Sequence, residues 1–151
     1  MQSPVPPSGR FDGARHLFAV RVYFEDTDLS GVVYHANYLR WFERARSDML
    51  RRAGIDQRAA HDAGQGAYAV TDMGLRYHRP ARLDDAVLII SRVVDVSPAT
   101  CRLEQEAWRG DDRLCAATVR VAFVAHNGRP RRQPPEWVAA FRALAAPDAT
   151  F

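Results

Sequence analysis

Residues 16–25, HLFAVRVYFE, alternate, with Phe18, Val20, Val22 and Phe24 on one side, so this segment is predicted to be a strand. From residue 36 the period lengthens. Tyr38, Trp41, Phe42, Ala45, Met49 and Leu50 recur at helical spacing, while Arg40, Glu43, Arg44, Arg46 and Asp48 take the other sides. The spacing predicts a helix over 36–53. Gly54 supplies its stop, and Arg51 and Arg52 sit where basic groups favour a helix C-terminus. Residues 56–63, DQRAAHDA, predict a short second helix before the GQG break.

Beyond residue 65 the pattern is dominated by strands. Segments 67–79, 85–96, 100–109 and 113–125 are rich in β-branched and aromatic residues, separated by the turn chemistry of PARLD, SPA and GDD. HNGRP predicts a further hairpin turn, and PPEWVAAFRALAA, which opens with proline, a terminal helix. The expected layout is a strand, a long helix and four strands in a meander. This is an α+β protein in which an antiparallel sheet wraps the one long helix, because that helix needs a concave apolar partner. Such a sheet has unpaired edges, so self-association is expected.

Composition narrows the picture. A chain of 151 residues fits one domain. Residues 1–15, rich in Pro, Ser and Gly, read as a disordered lead; 16–146 form the domain and 147–151 a tail. No apolar run approaches the roughly 18 residues of a membrane span, and the N-terminus has no apolar signal core, so the expected address is the cytoplasm. All 21 basic residues are arginine, but the net charge is only +3 and the longest basic tract is RPRR, a poor basis for nucleic-acid binding. In a hairpin turning at GDD, Cys101 lies opposite about residue 121 rather than Cys115. A disulfide between the two is not expected, and both read as buried thiols.

Few constellations carry chemistry. The five histidines, His16, His35, His61, His78 and His126, show no metal-ligand spacing, and neither a phosphate-binding glycine loop nor a nucleophile elbow is present, so no metal or cofactor is expected. What remains is EDTDLSG at 25–31, between the first strand and the helix. Gly31 permits a sharp turn, and the helix start beyond it presents free N–H groups and partial positive charge. A carboxylate beside that end can serve as base or nucleophile while N–H groups polarise a carbonyl oxygen. Equally, Asp26, Thr27, Asp28 or Ser30 can be a plain cap or turn residue.

The run R-V-x4-T-D-x2-G-x-V-Y-H-x-N-Y, from Arg21 to Tyr38, resembles the hotdog-fold acyl-CoA thioesterases, nearest the Tol–Pal-associated branch of the 4-hydroxybenzoyl-CoA thioesterase family. The resemblance continues through YHRPARLDD at 77–85 to PPEWVAAF and covers about residues 16–145. It implies a sheet wrapped round a long helix, an acyl-CoA thioester as substrate, and a homodimer or homotetramer. Asp28 falls on the family's catalytic carboxylate, as nucleophile or as base for water. Tyr34 and His35 match side chains that orient substrate or water, and the N–H near His35 matches the group that polarises the thioester. Gly31 lies on the substrate side of the same loop. Asp26 and Glu25 look like supporting residues, Asn37 and Tyr38 like architectural ones.

One departure affects the substrate. Where the hydroxybenzoyl-CoA branch carries a basic cluster for the nucleotide phosphate, this chain has Ser97-Pro98-Ala99. Either Arg79, Arg82 or Arg102 anchors CoA instead, or the acyl group arrives on acyl carrier protein. Two other readings stand beside the hydrolase: a non-catalytic acyl-carrier-binding or scaffold protein at the cell envelope, and a hotdog dehydratase. The second is disfavoured by a loop centred on aspartate.

Overall fold

The computed structural model describes residues 1–145; the tail expected at 147–151 lies outside the described residues. In chain order the elements are β1 (Arg10–Asp12), β2 (Arg15–Arg21), α1 (Asn37–Arg52), α2 (Gln57–Asp62), β3 (Ala67–Tyr77), β4 (Ala86–Val96), β5 (Thr100–Arg109), β6 (Asp112–Val124) and α3 (Pro135–Leu144). A 3₁₀ turn, Phe24–Asp26, intervenes between β2 and α1. The six strands form one antiparallel sheet in the order β1-β2-β4-β5-β6-β3.

The long helix forms where the period predicts it. Tyr38, Trp41, Phe42, Ala45 and Met49 are all buried and pack with Val87, Ile89, Val93, Leu103 and Val119 of the sheet. Each large side chain so buried contributes about 1.5–3 kcal/mol. The helix ends in a Schellman motif. Gly54 takes φ +85°, its N–H donates to the Arg51 carbonyl, and the Ile55 N–H donates to that of Leu50. Asp56 caps α2 by accepting from the Ala59 N–H at 2.9 Å.

A polar row also crosses the sheet beneath α1. His16, Ser91 and Gln105 are register partners on β2, β4 and β5, and all three are fully buried. Gln105 donates to the Phe42 carbonyl and the Ser91 hydroxyl, and accepts from Arg46. Its amide thereby ties the sheet to the middle of the helix.

Three expectations need correction. The four later strands do not form a simple meander: β4, β5 and β6 do, but β3 pairs with β6 at the far edge. The chain from β3 to β4 therefore crosses the end of the sheet at the mouth of α1. Ala81, fully buried there, accepts from the Val33 N–H and donates to the Tyr38 hydroxyl. Second, the first strand stops at Arg21, and Phe24 is 82% exposed on the 3₁₀ turn, not aligned with Val22 in the core. Third, ordered pairing reaches into the residues assigned to the lead, since β1 pairs Phe11 with His16. The proline, serine and glycine of that lead mask the short strand. The cysteine register holds: Cys101 faces Val121, and both thiols are free and buried.

Candidate active site

The site is built on a short hairpin that leads from the 3₁₀ turn into α1. Thr27 bridges Val33, the Asp28 N–H donates to the Val32 carbonyl, and the Gly31 N–H donates back to that of Asp28. Gly31 closes the turn with φ +83°, where a side chain would strain the backbone although nothing would obstruct it.

Asp26 anchors this hairpin. Its buried carboxylate accepts from the Asn37 amide at 2.7 Å and from the Tyr23 N–H at 2.8 Å, while its carbonyl accepts from the Tyr34 N–H. One residue thus joins the end of β2, the exit of the hairpin and the first residue of α1.

Asp28 occupies the exposed turn of the hairpin, where its Oδ1 accepts from the Ser30 hydroxyl and the Ser30 N–H. Those two bonds, the hydroxyl's first, hold its pKa below the ordinary 3.8, and His35 acts electrostatically in the same direction. Asp28 is therefore a carboxylate at neutral pH, and His35 lies within electrostatic reach of it. The His35 ring sits 4.6 Å from that of Tyr34, and both side chains are exposed.

Just beyond, the backbone carries unused donors. The N–H groups of His35 and Ala36 donate to no other group among the described residues. Ala36 is the N-cap of α1 and offers no side-chain cap. Two N–H groups at the positive end of a 16-residue helix suit a developing oxyanion.

The structure brings Asp28, Gly31, Tyr34 and His35 into one loop and adds Arg82, whose backbone bridges Val32. It disperses the other two arginines. Arg79 pairs with Asp112 at 3.2 Å, and Arg102 is exposed on β5 between Asp95 and Arg120, with no link to the loop. Tyr77 is the contributor that local sequence patterns miss. From the end of β3 its hydroxyl donates to the His35 carbonyl at 2.7 Å, and its ring packs against His35 and Tyr38. Forty-two residues separate the two partners, so only its place in the YHRPARLDD stretch gave a signal.

Known proteins share this fold. Residues 30–116 match the model of the thioesterase superfamily. The chain is 42% identical over 128 residues to the acyl-CoA thioesterase YbgC of Haemophilus influenzae, covering 84% of this chain and 94% of that one. It is 37% identical over 125 residues to the acyl-CoA thioester hydrolase YbgC of Escherichia coli O157:H7, covering 82% and 92%. Among solved structures, one described as a probable thioesterase from Bartonella henselae superposes with a TM-score of 0.76 at 38% identity, over 80% of this chain and 99% of its own. With a helix wrapped by an antiparallel sheet and a carboxylate turn at the mouth of that helix, the chain belongs to the thioesterase superfamily, the proteins of the hotdog fold.

Proposed function

We propose that this protein hydrolyses acyl-CoA thioesters to a free acid and a thiol, with Asp28 as the attacking nucleophile or as the base that activates water. The observation that carries this reading is an ionised carboxylate, hydrogen-bonded by Ser30 and within electrostatic reach of His35, on the loop that leads to two N–H groups with no partner among the described residues at the positive end of α1. The thioester oxygen would accept from those N–H groups while Asp28 delivers the attack. His35 and Tyr34 would orient substrate or water, and Gly31 would let the acyl thioester approach the backbone closely. Relatives named as acyl-CoA thioester hydrolases support the reading and leave the scaffold alternative without a favouring feature.

Of Arg79, Arg82 and Arg102, which could meet the anionic end of CoA, Arg82 is the one joined to the loop. Arg79 would have to leave Asp112, and Arg102 would need a second subunit to bring it near. A homodimer or dimer of dimers belongs to the same proposal. Tyr23, Phe24, Leu29 and Tyr34 expose apolar surface around the loop, and β3 is an edge strand with Val70 49% exposed. The resemblance further suggests a cytoplasmic enzyme linked to the Tol–Pal system.

The deciding experiment follows thiol release from a panel of acyl-CoA thioesters and matched acyl carrier protein thioesters. Turnover of the CoA series, lost in Asp28→Asn, is expected. A protein that binds but turns over neither series is a carrier-binding module and not a hydrolase.

A further inference from the structure

A buried ionisable pair about three turns along α1 from its N-terminus takes no part in the proposed chemistry. His16 at the start of β2 is fully buried and Asp48 of α1 is 4% exposed; Nε2 and Oδ2 meet at 2.7 Å. The Gly9 N–H donates to the same carboxylate oxygen at 2.9 Å. Gly9 lies tight against both. A Cβ there would stand 2.2 Å from the Leu17 carbonyl oxygen, 2.8 Å from Asp48 Oδ2 and 2.9 Å from His16 Nε2. Pro7, just before it, forms one wall of an open groove of about 520 Å³ that also reaches Phe18, Arg40, Arg44 and Asp48. The chain from Pro7 to Asp12 thus crosses the pair, held at one end by β1–β2 pairing and further back by one hydrogen bond.

The contact at 2.7 Å puts a proton on Nε2. Nδ1 is buried and has no partner among the described residues, so on the neutral ring it is a bare lone pair. A second proton would place an unpaired N–H there, with β1 and β2 offering Phe11 and Phe18 and β4 offering Ser91 as the neighbour in register. The charges acting on the ring are Asp48 and Arg52, both from α1. Burial lowers the His16 pKa from 6.5 and outweighs the opposing pull of Asp48, with Arg52 adding to the lowering.

We propose that Pro7–Asp12 is an acid-releasable strap, latched across α1 by the contacts among Gly9, Asp48 and His16 and let go when the ring takes its second proton. Once released, His16 is solvated and titrates near its ordinary 6.5, whereas the latched ring takes up a proton less readily. The latch is therefore fully favoured above that pH and loses ground as pH falls below it. Release uncovers Phe18 and the Asp48 carboxylate along the outer side of α1.

Amide hydrogen exchange on the full chain at about pH 7.5 and about pH 5.5, corrected for intrinsic rates, tests this. Protection across Gly9–Asp12 should fall about tenfold or more in acid while α1 and β4 keep theirs. Gly9→Ala should free the strap at both pH values. His16→Gln, whose amide donates to Asp48 without titrating, should keep it latched at both. In the wild type the His16 ring titration followed by NMR should share its midpoint with strap release. Equal protection at both pH values, a pH response that survives in His16→Gln, separate midpoints, or loss of α1 and strap together would each overturn the proposal.

Discussion

Asp28 draws both hydrogen bonds to its carboxylate from Ser30, two residues on, so its charge is governed within a single turn of chain. Asp28→Asn keeps the size of the side chain and removes the base or nucleophile. Turnover should fall by at least about a hundredfold, on the order of 3 kcal/mol in barrier, with folding unchanged. Asp26→Asn should act mainly on stability, because Asp26 is buried and fully engaged with Asn37 and Tyr23. Folded Asp28→Asn with wild-type turnover would remove Asp28 from the chemistry. The low pKa makes a second prediction. Since Asp28 loses its charge only below its ordinary 3.8, its acid limb in kcat/KM should lie below that value. Ser30→Ala removes the hydroxyl hydrogen bond that does most to lower this pKa and should move that limb upward, read from rates across the acid range.

At the scale of elements, the mouth of α1 is held from three sides: by Asp26 through Asn37, by Ala81 through Tyr38, and by Tyr77 through the His35 carbonyl. Asn37→Ala removes a buried partner from the Asp26 carboxylate. Urea unfolding should show a loss of about 1–3 kcal/mol, since a buried acceptor is left short of a donor. Trp41→Ala, at a fully packed position facing the sheet, should cost more, about 3–5 kcal/mol by transfer and cavity terms together. An Asn37→Ala protein as stable as the wild type would show that Asp26 does not depend on the clamp.

For the whole molecule, the edge strand β3 and the exposed aromatic loop side chains give a surface that a second copy can cover. Light scattering should show a dimer or tetramer at micromolar concentration; a fully active monomer would contradict it. If guanidinium groups hold the phosphates of CoA, KM should rise with salt, because exposed charges are screened over about 8 Å at physiological ionic strength. A KM indifferent to salt would move the main binding contribution elsewhere.

Local chemistry settled much of this protein. The period of Tyr38, Trp41, Phe42, Ala45 and Met49 defines α1 and its buried face, Gly54 its end, and the GDD turn the register that separates Cys101 from Cys115. The turn at Asp28-Leu29-Ser30-Gly31 was legible too, because a glycine at positive φ and an adjacent hydroxyl act over a few residues. Tertiary structure alone decided what depends on distant partners. It placed β3 beside β6, since strand order is fixed by how the chain passes round the helix and not by the pattern within a strand. It joined Tyr77 to His35, Asn37 to Asp26 and His16 to Asp48, polar pairings with no sequence period because each partner lies on a different element and only burial brings the two together.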